Sequence, residues 1–230
     1  MGRTSDAKDR LIEVGSRLIH TRGYNAVGVQ EICEEAGVNK GSFYHFFPSK
    51  KELVLAIIER HEGFMTQQVQ EIFSLDLSIH QKFEAFFQSI FGMACEIKET
   101  CGVLPGCPIG NLALELTTFD HEIQARIAQC FGNLEKFFAD RIREAQEHGE
   151  CEGVDPSGAA KAMVAYFQGM TLLAKANNSP EVFKDIYERG LLMLGPTPQE
   201  EWQHPAGVLQ HGDRSQGGRT TSGKARARSL

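Results

Sequence analysis

The stretch Gly37-Val38-Asn39-Lys40-Gly41-Ser42-Phe43-Tyr44-His45-Phe46-Phe47-Pro48-Ser49-Lys50 constrains this chain more than any other. It holds a turn, a very short helix, a proline stop and a new helix start. A globular core does not require a helix this short and this rich in polar and aromatic side chains; a helix inserted into a DNA groove does. On its N-terminal side, Val29, Ile32, Cys33 and Ala36 form the apolar stripe of a helix predicted over 29–36, which Gly37 ends. Val38 fills the turn, and Asn39 caps a helix from Lys40 to about Phe46. Two helices joined by a short turn containing Gly make a helix-turn-helix signature. An earlier helix, capped at Ser5 and ending at Arg22, sets Leu11, Ile12, Leu18 and Ile19 on one face with Gly15 between them. After Pro48, Ser49-Lys50-Lys51-Glu52 reads as a capping box opening a helix to about Phe73, long enough to join two domains.

The remaining pattern is helical as well, with helices near 78–98, 109–117, 121–147, 155–176 and 180–194. Asp155-Pro156 and Ser179-Pro180 are cap-plus-proline starts, and Gly149 and Gly195 are stops. No stretch alternates like a strand between hairpin turns. The expected fold is all-α. An N-terminal three-helix helix-turn-helix domain over 1–48 is joined by a long helix to a helical ligand-binding and dimerisation domain over 49–195. Residues 196–230, rich in Gly, Ser, Gln and Arg, read as a disordered tail. Its basic end, Lys224-Ala225-Arg226-Ala227-Arg228, is either simply solvated or adds salt-dependent attraction to DNA.

Charge narrows where nucleic acid could bind. The net charge is −6 over 230 residues, which argues against contact all over the surface. Residues 1–62 carry 9 basic and 9 acidic side chains, 63–200 carry 10 and 19, and 201–230 carry 5 and 2. DNA contact must therefore be a local patch in the first sixty or so residues, backed by an acidic body. No apolar run reaches ~20 residues, so no membrane span is expected. Met1-Gly2-Arg3-Thr4-Ser5-Asp6 lacks an apolar signal core. Those features lead to a cytoplasmic expectation, with the six cysteines as reduced thiols.

Within the short helix, Gly41 lets backbone approach phosphate, and Lys40 and Ser42 supply donors. Tyr44 and His45 leave the side opposite Phe43 and Phe46, which anchor the helix. Lys50 and Lys51 stand in the first turn of the long helix, where the macrodipole is positive and each costs ~0.3–1 kcal/mol. A phosphate on the free N–H groups would reverse that penalty; the alternative is a pair of solvated lysines.

These residues, Gly37 through Leu53 with Leu18, Gly23 and Tyr24, resemble the signature of the TetR/AcrR transcriptional regulators. The resemblance implies a homodimer on a palindromic operator, most often a repressor released by a small ligand. It also implies Gln30, Lys40, Gly41, Ser42, Tyr44, His45 and Lys50 as DNA contacts. Gly28 departs from the family pattern, which has Thr there as cap and phosphate donor. The body holds most of the fifteen Phe residues, which serve either as core or as the wall of an apolar pocket. The resemblance places that pocket near Phe86–Met93, Ile109–Leu116, Ile127–Phe131 and Tyr166–Met170, with Phe87, Phe91, Phe131, Tyr166 and Met170 as candidate effector contacts. It makes the last two helices the dimer contact.

Cys107 precedes Pro108, so it caps the next helix, and a thiol at a helix N-terminus has greater thiolate character. Cys101 stands close enough in sequence to act as a resolving thiol. Gly106-Cys107, Leu114-Glu115-Leu116 and Leu173-Ala174-Lys175 resemble a TetR subgroup, that of the N-ethylmaleimide-responsive repressor, which senses electrophiles or oxidants through one cysteine with a lysine, here Lys175, nearby. Two readings stand: a redox or electrophile sensor, and a cap cysteine that packs without reacting. Cys33, Cys95, Cys130 and Cys151 read as structural. No His/Cys/carboxylate spacing suits a metal, and no cofactor is implied. The alternative to a DNA-binding regulator is a helical small-molecule carrier or enzyme using the Phe-rich cavity. No nucleophile–base pair, phosphate-cradling loop or carboxylate–histidine cluster supports catalysis.

Overall fold

The computed structural model describes residues 3–196, with side chains from Asp6 onward; apart from its first residue, the expected tail lies outside them. Among the described residues every regular element is helical. The order is α1 (Arg3–Arg22), α2 (Val29–Ala36), α3 (Lys40–Phe46), α4 (Lys50–Phe73), α5 (Ile79–Cys101), α6 (Pro108–Leu116), α7 (His121–Glu147), α8 (Pro156–Asn177) and α9 (Glu181–Leu191), closed by a 3-10 turn at Leu192–Leu194. The all-α expectation and the helix-turn-helix spacing both hold.

Helix starts follow local chemistry. Asn39 Oδ1 accepts from Ser42 N at 2.8 Å, and Ser49 Oγ accepts from Glu52 N at 3.2 Å. The complete reciprocal capping box forms elsewhere, between Ser78 and Gln81. Asp120 and Asp155 cap α7 and α8 with two backbone bonds each, and Pro156 follows at the first helical position. α2 ends on Gly37 at φ +63°, the left-handed conformation that lets its N–H and that of Val38 close the last turn. Gly28 caps α2 with no side-chain bond, as expected of a residue that has none to give.

Two apolar cores result. One is built from Leu11, Leu18, Ile32, Phe43, Leu53 and Ile58 of α1–α4, and it continues into Ile109, Leu112 and Leu116 of α6 and Ile123 and Ile127 of α7. The other is the Phe-rich core of the body, where Phe73, Phe83, Phe86 and Phe138 meet edge-on or tilted, with centroids 4.9 Å apart for Phe83 and Phe138. Each fully buried Phe contributes roughly 1.5–3 kcal/mol, before the ~0.5–1.5 kcal/mol of a well-oriented aromatic pair. The first core matters for function. The packing that holds the helix-turn-helix upright is shared with α6 and α7, so a shift in either helix is felt by the head.

Candidate nucleic-acid interface and effector cavity

Phe43 is fully buried and Phe47 nearly so, while Phe46 is half-buried; α3 is thus pinned by Phe43 and by the residue just after its last turn. That pinning turns Tyr44, 52% exposed, and His45 outward, with Lys40 and Gly41 exposed at the helix start and Ser42 half-buried. A Cβ on Gly41 would lie 3.2 Å from Asn39 Oδ1, so glycine here also leaves room for the cap. Gln30 is exposed on α2 and its amide donates to Glu34. These side chains form one short polar and aromatic surface at the tip of the head.

Lys50 and Lys51 depart from the expectation of free phosphate contacts. Lys50 Nζ donates to the carbonyls of Tyr24 at 2.8 Å and Val27 at 2.9 Å, and sits 3.8 Å above the Tyr24 ring. Lys51 pairs with Asp120 at 3.0 Å and Glu122 at 2.6 Å. Burial lowers the pKa of Lys50 while the Glu115 charge raises it. Lys50 is thus committed to backbone carbonyls and Lys51 to two carboxylates of α7 and its cap, which offset the penalty a lysine at this helix end would carry.

The turn held by Lys50 is held from the other side by α6. The carboxylate of Glu115 accepts from the N–H groups of Tyr24 and Asn25, both at 2.8 Å. Gly23 lies beneath it at φ +89°, with the position of a Cβ 3.2 Å from Glu115 Oε2, so both backbone shape and space require glycine. At the opposite end of α6, His20 Nε2 lies 2.7 Å from the Gly106 carbonyl. A carbonyl only accepts, so that nitrogen carries the proton. Burial lowers the His20 pKa, partly offset by the Gly106 bond. α6 is thereby tied to the head at both ends.

Between α1, α4, α5, α6, α7 and α8 lies a cavity of about 620 Å³. Its wall is mainly apolar (Phe64, Met65, Ile90, Met93, Leu104, Phe131, Leu134, Phe137 and Phe167) with a polar strip from His20, His61, Gln168 and Cys107. Burial lowers the His61 pKa to about 4, helped by the nearby His20. Burial alone would raise Glu62, but bonds from Arg126 and Asn133 outweigh it and leave the carboxyl below its usual range. The wall is therefore uncharged at neutral pH apart from a carboxylate already paired.

The residues expected to touch an effector divide. Phe131 and Cys107 line the cavity. Phe87 and Met170 are buried in the body core away from it, Phe91 packs under Lys184, and the Tyr166 hydroxyl donates to the Ile186 carbonyl. Lys175 donates to Asn111 Oδ1 at 3.0 Å beside Gly106, outside the cavity wall. Cys101 is exposed at the end of α5, also outside it. The thiol chemistry differs from expectation too. Cys107 does cap α6, accepting from Gly110 N at 3.4 Å and Gln168 Nε2 at 3.6 Å. Burial nonetheless pushes its pKa up, because desolvation exceeds what those bonds return. His20 and His61 were missed as wall residues, and Cys130, inside the expected stretch 127–131, was read as structural but lines the wall. Only a helical wheel of α1, α4 and α7 combined with their packing would have turned them inward. Among the described residues no group of three or more His, Cys, Asp or Glu could hold a metal ion, and no helix is long and apolar enough to cross a membrane.

Comparison with known proteins agrees with this architecture. Residues 11–57 match the bacterial regulatory proteins of the tetR family, and 85–188 match the tetracyclin repressor-like C-terminal domain. The transcriptional regulator AcuR of Cereibacter sphaeroides is 32% identical over 176 residues, covering 76% of this chain and 79% of AcuR. The HTH-type transcriptional repressor NemR of Escherichia coli is 25% identical over 178 residues, covering 76% and 87%. A crystal structure of a regulatory protein TetR from Rhodobacter sphaeroides superposes with a TM-score of 0.71 at 30% identity, covering 80% of this chain and 96% of that one. With the head, the long connecting helix and the cavity-bearing body all accounted for, the chain belongs to the TetR family of bacterial transcriptional regulators.

Proposed function

We propose that this regulator is a homodimeric repressor that reads a palindromic operator with the 1–48 head and is released when a small, mainly apolar effector occupies the cavity of the 49–195 body. It acts in the cytoplasm without catalysing a reaction. Tyr44, His45, Lys40, Gly41, Ser42 and Gln30 meet the DNA, with the start of α3 nearest the base edges. Lys50 serves by fixing the turn at Tyr24–Val27. The exposed Leu172 and Leu173 of α8 and Leu192 after α9 supply the dimer contact. Two heads would lie about one turn of DNA apart, ~34 Å.

The observation that carries this proposal is the shared boundary of cavity and head. His20 belongs to α1, lines the cavity, and holds the Gly106 carbonyl at the start of α6, whose other end holds the turn before α2. A ligand that displaces α6 therefore strains the head through two hydrogen-bonded points. That supplies the differential interaction a population shift requires. Cys107, on the same wall, offers an additional covalent mode.

Gel shifts with DNA from upstream of the protein's own coding sequence test the proposal. Wild type is expected to shift it at low salt, with Tyr44→Ala and Lys40→Ala weakening binding at least tenfold. No shift, or equal shifts for all three proteins, would overturn DNA reading by this surface.

A further inference from the structure

The cavity wall selects by charge before it selects by shape. Among the described residues no lysine or arginine lines it, and its one ionised group is Glu62. Both oxygens of that carboxylate are taken, Oε2 by Arg126 and Oε1 by Asn133 Nδ2 at 2.8 Å. An anion entering the cavity would meet a carboxylate and no cation, and a cation would meet no free anion; either would lose its hydration uncompensated. At the start of α6 the wall turns polar. His20 gives its Nε2–H to the Gly106 carbonyl at 2.7 Å, which leaves Nδ1 an acceptor. The Gln168 amide donates to Cys107 Sγ at 3.6 Å, and its Oε1 lies 2.6 Å from where a Cβ on Gly110 would stand, so glycine makes room for that amide. His61, one turn before Met65 on the cavity stripe of α4, bonds to no protein group among the described residues.

We propose that the effector is an uncharged aromatic alcohol of the phenol or naphthol class, with its ring against Phe131, Phe137 and Phe167 and its hydroxyl bonded to the imidazole of His61. That such a ligand releases DNA rests on the reading above; that it binds does not.

The hydrogen-bond inventory of the wall favours a hydroxyl. His20 has spent its one N–H on Gly106 and Gln168 has spent one on Cys107, so a ligand that only accepts finds few donors. A hydroxyl both donates and accepts, which matches a neutral imidazole carrying one site of each kind. Burial keeps His61 in that neutral form at physiological pH, with its pKa lowered to about 4. The volume, about 620 Å³, accommodates a single or fused ring system. Phe131, Phe137 and Phe167 offer ring edges and faces, and Met65 and Met93 offer sulfur, contacts that reward an aromatic ring over an aliphatic chain of equal size.

Calorimetric titration of the reduced full-length protein with β-naphthol, its methyl ether and β-naphthoate at neutral pH tests the proposal. The naphthol is expected to bind, the ether about tenfold more weakly for want of a donor, and the carboxylate about a hundredfold more weakly. His61→Phe should bring the naphthol down to the level of its ether while leaving the ether within about twofold of its wild-type affinity. The ligand series is complete on wild type, so a poorly folded variant cannot hide the outcome. No binding of the naphthol, equal binding of its ether, or tighter binding of the carboxylate would overturn the ligand class, and an undiminished affinity in His61→Phe would overturn the contact. Gel shifts with the same ligands separate the two ideas. Naphthol binding that leaves the DNA complex intact upholds the ligand class and removes the cavity from the release mechanism. Release by the ether at the same dose as the naphthol keeps that mechanism and overturns the role of the hydroxyl.

Discussion

Lys50 shows how much one side chain can carry. Its ammonium satisfies two carbonyls of a turn that has no regular structure of its own. Lys50→Met keeps the apolar stem but leaves both acceptors unpaired, and is expected to cost about 2 kcal/mol. Urea unfolding would read this as a lower midpoint at unchanged slope; an unchanged midpoint would mean that the turn holds without it. His61 makes a second residue-scale prediction, from titration. Its folded pKa of about 4 lies below the ordinary histidine value of 6.5 that the unfolded chain keeps. Between these values the unfolded state binds more protons, so stability falls as pH drops from about 6.5 towards 4. The full shift corresponds to about 3 kcal/mol. Water reaching the cavity reduces this, and about 2 kcal/mol is expected. His61→Gln should flatten the curve of melting temperature against pH over that interval, most visibly below pH 6.

At the scale of elements, α6 is the piece whose position is most contested. It is short, it contributes Ile109, Leu112 and Leu116 to the core of the head, and its start forms part of the cavity wall. Its Glu115 bonds cap two N–H groups that would otherwise be unsatisfied in the turn after α1. Glu115→Ala should expose both, raising amide hydrogen exchange at Tyr24 and Asn25 at least tenfold while the Phe-rich core of α5, α7 and α8 keeps its protection. Uniform loss of protection throughout would indicate global destabilisation instead of a local joint. The dependence of head on body explains why α2 and α3, each only two turns long, stand in a fixed place: helices of this length are marginal without tertiary packing.

For the proposed dimer the decisive quantity is the separation of its two heads, which one protomer cannot set. Leu172, Leu173 and Leu192 leave an apolar face on the last helices, at 53%, 49% and 65% exposure. Leu173→Glu is expected to convert a dimer to a monomer in light scattering and to reduce operator affinity by more than tenfold, because two half-sites are then bound independently. A monomeric wild type would overturn the dimer, and a variant that stays dimeric with undiminished affinity would place the contact elsewhere.

Helix type and order were legible from residues alone. Period, Asn39, Ser49 and Asp155 as caps, Gly37 and Pro48 as stops, and the compact run from Lys40 to His45 are local properties, and each acts within a turn or two of its own position. The pocket was legible only in part: Phe131 and Cys107 lie on its wall, but Phe87, Phe91, Tyr166 and Met170 face packing partners instead. An aromatic side chain on an apolar stripe fills core or lines a cavity according to what stands opposite, which periodicity does not specify. The same holds for charge and reactivity. Lys50 was free on paper and is bound to carbonyls from a turn 23 and 26 residues away in sequence. Cys107 sits at a helix start, which favours its thiolate, yet burial in the folded chain reverses the direction of its pKa. Sequence by itself determined the helices and the exposed polar face of α3, because those depend on neighbours along the chain. Tertiary structure decided what His20, Glu115, Lys50 and Cys130 do, because hydrogen bonds, desolvation and cavity walls are set by residues that only folding brings together.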